Sequence, residues 1–253
     1  MSLFQVPPPT RFDLRFSVAG IPVRVHPLFW VIALLFGSGA SSFLTIAFWI
    51  IGIFISILIH ELGHALAFRR YGQDSHIILH FAGGLTVPET VAFGAGYARV
   101  ALTPNQQILI SLAGPFAGFF FAAFIIVASL ALGGTIIPNT ILGFIPFPIV
   151  FLPESYAVLN SFFMILLWVN IFWGLVNLVP VFPLDGGQVS RNIFIQRDPW
   201  NGLRTSIWIS VITGGIMALV GFFMLGSIYM AFLFALLAFQ SWQMLQMSAG
   251  GYY

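Results

Sequence analysis

Two histidines four residues apart, His60 and His64, enclose Glu61 in the segment HELGH. On a helix, residues four apart share a face, so both imidazoles can reach one zinc ion while Glu61 approaches a water in the fourth coordination position. Zinc lowers the pKa of such a water from about 15.7 toward 7, and a nearby carboxylate can take its proton as it attacks a carbonyl carbon. The spacing therefore predicts metal-assisted hydrolysis, with Glu61 as general base. Five-residue patterns of this kind also arise by chance in soluble proteins. Here the pattern lies inside an apolar run, where a charged group costs about 2.5–3.5 kcal/mol and persists mainly for function.

A catalytic zinc usually takes three protein ligands. The chain has no cysteine, so a third donor must be His, Asp or Glu. Asp74, His76, His80 and Glu89 sit in a polar loop and read as solvated or sheet residues, and Glu154 falls on the opposite side of the membrane. Asp185 stands out. It ends NLVPVFPLDGG, residues 177–187, where Pro180 and Pro183 cannot continue a regular helix and free the backbone to turn inward. The alternative is an ordinary turn-forming Asp before Gly186. Depth favours the ligand: His60 and His64 lie nine and five residues before Arg69, and Asp185 lies six before Arg191. At a rise of about 1.5 Å per residue, His60 is on the order of 13 Å beneath that face.

The elements that must position these groups are membrane helices. The chain is 59% hydrophobic and 6% charged, against about a quarter charged in an ordinary soluble domain. Apolar runs predict about six transmembrane helices: one from Pro27 to Gly37, then Phe43–Phe68, Gln106–Leu132, Leu159–Val179, and two more within Thr205–Gln246 that turn at Gly226 and Ser227. The first is short for a crossing. Ile141–Leu152, with Pro146 and Pro148, reads as re-entrant or interfacial. Phe12–Val25 alternates as a surface hairpin, and His76–Pro88 reads as a strand broken by a Gly pair. The fold class is thus an all-α polytopic membrane protein with a small membrane-associated β-sheet. Residues 1–26 form a cytoplasmic or surface segment, 27–247 the transmembrane domain with its core at 43–191, and 248–253 a short tail.

All nine basic residues are arginines, at 11, 15, 24, 69, 70, 99, 191, 197 and 204. With six spans they share one side, which the positive-inside rule makes cytoplasmic, and both termini with it. The N-terminus shows no cleavable signal peptide. A net charge of +2 without a basic run points to no nucleic-acid partner. No internal repeat suggests a transporter built from two halves.

HELGH in one span and NLVPVFPLDGG in a later one together resemble the two signature motifs of the site-2 protease family of intramembrane zinc metalloproteases. The resemblance covers about Phe43 to Arg191, and FAGGL, residues 81–85, is similar to the family's membrane-associated sheet. It implies one zinc per chain held by His60, His64 and Asp185, Glu61 as base, and Asn177 assisting near the transition state. It further implies regulated intramembrane proteolysis: cleavage of single-span membrane proteins, within the lipid bilayer, in or near their transmembrane segments. The expected location is the plasma membrane of a prokaryote. Many members carry a PDZ or CBS domain, and none is expected at this length.

Asn170, one heptad before Asn177, reads instead as an interhelical hydrogen-bonding residue. Prenyl-protein-processing zinc proteases share the H-E-x-x-H pattern but need a later intramembrane glutamate, which this sequence lacks. A membrane zinc-binding or transport protein without proteolytic activity is the alternative from another class. The last two spans offer it only Ser, Thr and Gln for a polar path. Substrate identity and oligomeric state are left open.

Overall fold

The computed structural model describes residues 7–39, 42–89, 91–93, 96–98, 101–141, 143 and 145–249. The chain groups into two compact units, 1–101, 113–139 and 147–174 in one and 102–112, 140–146 and 175–253 in the other. Arg99 of the charge argument and residues 250–253 of the expected tail lie outside the described residues.

The first unit opens on a hairpin, β1 (Leu14–Val18) and β2 (Ile21–Val25). It turns at Ala19 and Gly20, whose φ angles of 51° and 74° are both left-handed, as a two-residue turn needs to match the strands' twist. β2 buries Ile21, Val23 and Val25 on one side and turns Pro22 and Arg24 to the other. Arg24 donates to Asp13 Oδ2 at 3.1 Å and to the Pro7 carbonyl at 2.9 Å. Burial opposes ionisation of Asp13, but hydrogen bonds from Thr10 and the Arg24 guanidinium outweigh it and hold its carboxyl down to about 2.

Helix α1 (Pro27–Gly37) follows, capped by His26, whose Nδ1 accepts the Leu28 N–H at 3.2 Å. Helix α2 (Phe43–Arg70) starts at Ser42, whose hydroxyl accepts the Thr45 N–H at 3.2 Å. It ends on Arg69 and Arg70, cations that suit the negative end of the helix dipole. Next, β3 (Ser75–His80) pairs with β2 in parallel and with β4 (Gly83–Pro88) antiparallel, completing a four-stranded sheet in the order β1-β2-β3-β4. Because β2 precedes α1 and β3 follows α2, this pairing returns the α1–α2 hairpin to the side from which it left. β5 (Val91–Phe93) and β6 (Gly96–Ala98) form a separate small hairpin.

Among the described residues, five helices are long and apolar enough to cross a membrane, and α1 is not among them. Its 11 residues reach about 16 Å, half of a bilayer's hydrocarbon core. Packing shows what supplies the rest. Trp30 stacks on Phe54 at 5.3 Å, and a Cβ on Gly37 would stand 3.1 Å from Trp49, so α1 runs beside the first half of α2. The β1–β2 hairpin continues along the second half, from Phe16 at 6.3 Å from Phe54 to Ala19, whose carbonyl accepts from Arg69 at 2.8 Å. A strand and a short helix in series thus accompany one long helix.

Helix α3 (Pro104–Ala131) contributes residues 113–131 to this unit, and α4 (Ala157–Asn177) contributes residues up to 174. Small residues let α2, α3 and α4 close on one another. A Cβ on Gly63 would overlap the Ala113 carbonyl, one on Gly52 would stand 2.9 Å from Ile165, and one on Gly174 would stand 2.6 Å from Phe119. Asn170 donates to the Ser56 hydroxyl at 2.8 Å and to the Leu166 carbonyl at 2.8 Å, the interhelical role expected of it. Between α3 and α4 lie four short strands, β7 (Thr135–Ile137), β8 (Thr140–Ile141), β9 (Ile145–Pro146) and β10 (Ile149–Phe151), the last two within the expected segment Ile141–Leu152. β7 pairs with β10, and β8 with β9.

The second unit holds α5 (Asp185–Arg197), α6 (Gly202–Phe223) and α7 (Ile228–Ala249). The last two form the expected hairpin, turning at Gly226 with φ 59°. They lie close because a Cβ on Gly214 would stand 3.0 Å from that of Ala238, and one on Gly221 2.9 Å from the Ala231 nitrogen. α5 was not anticipated from sequence.

Candidate active site

No proline interrupts α2, so the helix carries through HELGH and places His60 and His64 on one face, both buried. Their rings meet nearly edge to face, centroids 4.8 Å apart, with the two Nε2 atoms at 3.1 Å. The face they share is opposed by Gly114 of α3, where a Cβ would overlap both imidazoles at Nε2. The small-residue segment AGPFAG is therefore required beside the histidines. Pro115 follows directly within α3 and leaves one helix carbonyl without its usual N–H donor.

Glu61 lies under β4. It is buried, and the Thr86 hydroxyl meets it twice, 2.7 Å from Oε2 and 3.0 Å from the backbone carbonyl of Glu61 itself. Two residues earlier on the same strand, a Cβ on Gly84 would overlap Cγ and Oε1 of Glu61. A narrow crevice beside His60 is lined by Ser56, Gly118, Val169, Asn170, Trp173 and Gly174.

Asp185 opens α5, an acidic residue in a first turn where the helix dipole favours negative charge. The preceding residues wind into irregular turns: Val181 N–H reaches the Val179 carbonyl at 2.7 Å, Leu184 N–H the Val181 carbonyl at 2.9 Å, and Phe182 N–H the Ser210 hydroxyl at 3.1 Å. A Cβ on Gly186 would overlap the Leu178 carbonyl, and one on Gly187 would stand 2.5 Å from the Phe182 nitrogen. The two glycines after Asp185 thus let the start of α5 press against the turns that lead into it. Asn177 is the last residue of α4 and is buried.

His60 and His64 bring two imidazole nitrogens to one point within the first unit, and Asp185 opens a helix of the second. Two imidazole nitrogens and a carboxylate oxygen are a donor set that zinc accepts. The space that Gly114 leaves at the two Nε2 atoms fits an ion held there.

The other ionisable groups weighed in the sequence sit elsewhere. His76 faces Glu89 at 3.7 Å, both partly exposed. His80 is fully enclosed in β3, where burial first, then the neighbouring His26 and Arg24, push its pKa down to about 4. Thr86, Gly84 and Gly114 were not found from sequence. Small residues such as those of AGPFAG, residues 113–118, allow a close helix approach without naming the partner, and nothing local to Thr86 points to a glutamate 25 residues away.

Comparison with known proteins adds to this geometry. The profile described as "Peptidase family M50" matches residues 48–220. The chain is 26% identical over 186 residues to a zinc metalloprotease of Methanocaldococcus jannaschii, covering 72% of this chain and 45% of that protein. It is 28% identical over 218 residues to Rip3 of Mycobacterium tuberculosis, covering 80% and 48%. The chain thus spans about half the length of these relatives. The solved site-2 protease of Methanocaldococcus jannaschii shares the fold, with a TM-score of 0.54 at 23% identity over 92% of this chain and 95% of that one.

Proposed function

Because the chain belongs to peptidase family M50, we propose that it is an intramembrane zinc metalloprotease that hydrolyses peptide bonds in or near transmembrane segments of other membrane proteins. The observation that carries this reading is a buried glutamate between two histidines whose Nε2 atoms lie 3.1 Å apart, inside a helix apolar enough to span a bilayer. One zinc per chain is held by His60, His64 and Asp185. When bound, zinc acts as a Lewis acid that polarises the substrate carbonyl and acidifies the attacking water.

The residues do the remaining work. Glu61 removes the proton from the attacking water and later delivers it to the departing amine. Asn177 offers an amide N–H to the oxygen that gains charge, a contact of the kind worth about 2.7–4 kcal/mol. The enclosure of His60, Glu61 and His64 by α3 and β4 keeps bulk water away from the reacting bond. Before attack the substrate helix must unwind, since its carbonyls are held in backbone hydrogen bonds.

The substrates are single-span proteins of the same bilayer. Arginines concentrate in the loops that the charge rule assigns to the cytoplasm, so both termini are cytoplasmic and cleavage falls in the cytoplasmic half of the substrate span, in the plasma membrane of a prokaryote. Gly, Pro or Asn near the scissile bond favours cleavage by weakening the helix.

The test is zinc analysis of purified protein together with cleavage of a single-span substrate in detergent, the products located by mass spectrometry. One zinc per chain and cuts in the cytoplasmic half are expected. Stoichiometric zinc with no cleavage of any single-span substrate would instead favour a zinc-binding or transport role.

A further inference from the structure

We propose that two residues of β4 divide the oxygens of Glu61 between them: Thr86 clasps Oε2 to helix α2, and Gly84, having no side chain, lets the carboxylate lie against the strand with Oε1 as the oxygen that takes the proton. This rests on Glu61 being the general base. The Thr86 hydroxyl lies 2.7 Å from Oε2 and 3.0 Å from the Glu61 backbone carbonyl. That carbonyl is fixed by the helix, so a single hydroxyl ties the free end of the side chain to its own backbone. A hydroxyl carries one hydrogen and two acceptor lone pairs. It donates to Oε2 while Glu61 is ionised, and the carbonyl gives the same hydrogen a second acceptor in either protonation state.

The other oxygen meets an absence. A Cβ on Gly84 would overlap Cγ and Oε1, so the missing methyl is what lets the Glu61 side chain lie where it does. Gly84 and Thr86 are two apart on one strand, facing the same way, at a spacing of about 6.6 Å that lets one strand serve both sides of a carboxylate.

In the hydrolytic step, a water proton passes to Oε1 while the water oxygen bonds to the carbonyl carbon. The C–N bond then breaks, and the proton on Oε1 goes to the leaving nitrogen. Oε2 keeps its contact with Thr86 throughout, so the carboxyl holds its aim between the two transfers. Thr86 is a positioning residue, and no other bond changes at it.

Thr86→Val, Thr86→Ser and Gly84→Ala are compared with wild type and with Glu61→Gln, measuring kcat and KM on a single-span substrate, zinc content and thermal stability. Thr86→Val is expected to lower kcat about 10–100-fold, as loss of an orienting partner does, with KM and zinc content unchanged. Thr86→Ser restores most of the rate. Thr86→Val added to Glu61→Gln costs nothing further, which a merely structural role would not reproduce. Gly84→Ala lowers kcat while zinc stays bound, and decides the question alone should Thr86→Val fail to fold. Wild-type kcat in Thr86→Val or in Gly84→Ala, or an equal loss in Thr86→Ser, overturns the proposal. Full activity of Glu61→Gln is a different result, the failure of the base assignment itself.

Discussion

Helix α2 with its sheet and the α6–α7 hairpin are both long apolar elements laid against a partner, and they treat their polar side chains in opposite ways. On α6, Ser206 donates back to the Leu203 carbonyl at 2.7 Å and Ser210 to the Ser206 carbonyl at 3.1 Å, while glycines bring α7 close. On α2 the polar groups reach across elements: Ser56 to Asn170 of α4, and Glu61 to Thr86 of β4. A hydroxyl returned to its own helix satisfies itself and specifies nothing about neighbours, whereas a bond between elements fixes a geometry. Ser210 does both. It also accepts the Phe182 N–H at 3.1 Å, in the segment that leads to Asp185.

If that contrast separates chemistry from scaffold, substitutions in the two regions must fail differently. The largest effect is expected on α2: Glu61→Gln lowers the cleavage rate by about 10²–10⁴-fold with zinc retained. Asp185→Asn lowers zinc content as well as rate, because a neutral amide replaces a charged donor. Metal analysis beside a cleavage assay separates the two, and normal zinc and rate in Asp185→Asn would return that residue to a turn-forming role. A smaller loss is expected from Leu85→Pro on the end strand β4, if an extended substrate adds there as a further strand. Unchanged turnover in Leu85→Pro would exclude use of the edge.

On the scaffold side, Gly214→Val should cost about 1–3 kcal/mol of stability by overpacking against Ala238. Zinc content and rate per folded molecule should not change, and a specific loss of rate would break the comparison. The last effect concerns His80 and is read against pH. Its folded pKa of about 4 lies below the unfolded 6.5, so the unfolded chain binds the proton first and stability falls as pH drops from about 6.5 toward 4. Thermal melts across that range should show the decline, and His80→Gln should flatten it.

Much of this was legible because hydropathy and helical spacing are local signals. The long spans, HELGH and the surface hairpin at Phe12–Val25 each announce themselves within a few residues, whereas His76–Pro88, which reads as one broken strand, folds as the antiparallel pair β3–β4. The short α1 was visible as a short run, but the strand that accompanies α2 beside it was not, because the pairing of β2 with β3 joins residues far apart in sequence. α5 escaped notice because DGG reads as a turn; its glycines are needed for close packing on residues 178–182 and do not end a helix. Thr86 and Gly114 gain their meaning only from α2, which neither neighbours in sequence.

The parallel pairing of β2 with β3 also sets an order of events while the chain is being made. β2 leaves the ribosome about fifty residues ahead of β3, and closing a loop of that length costs little more than closing a short one. Until β3 follows, the β1–β2 hairpin has an unpaired edge, and until β4 follows, Glu61 lacks its cover from Thr86. A chain stalled before β3 would leave HELGH uncovered and present an open strand to any neighbour able to pair with it.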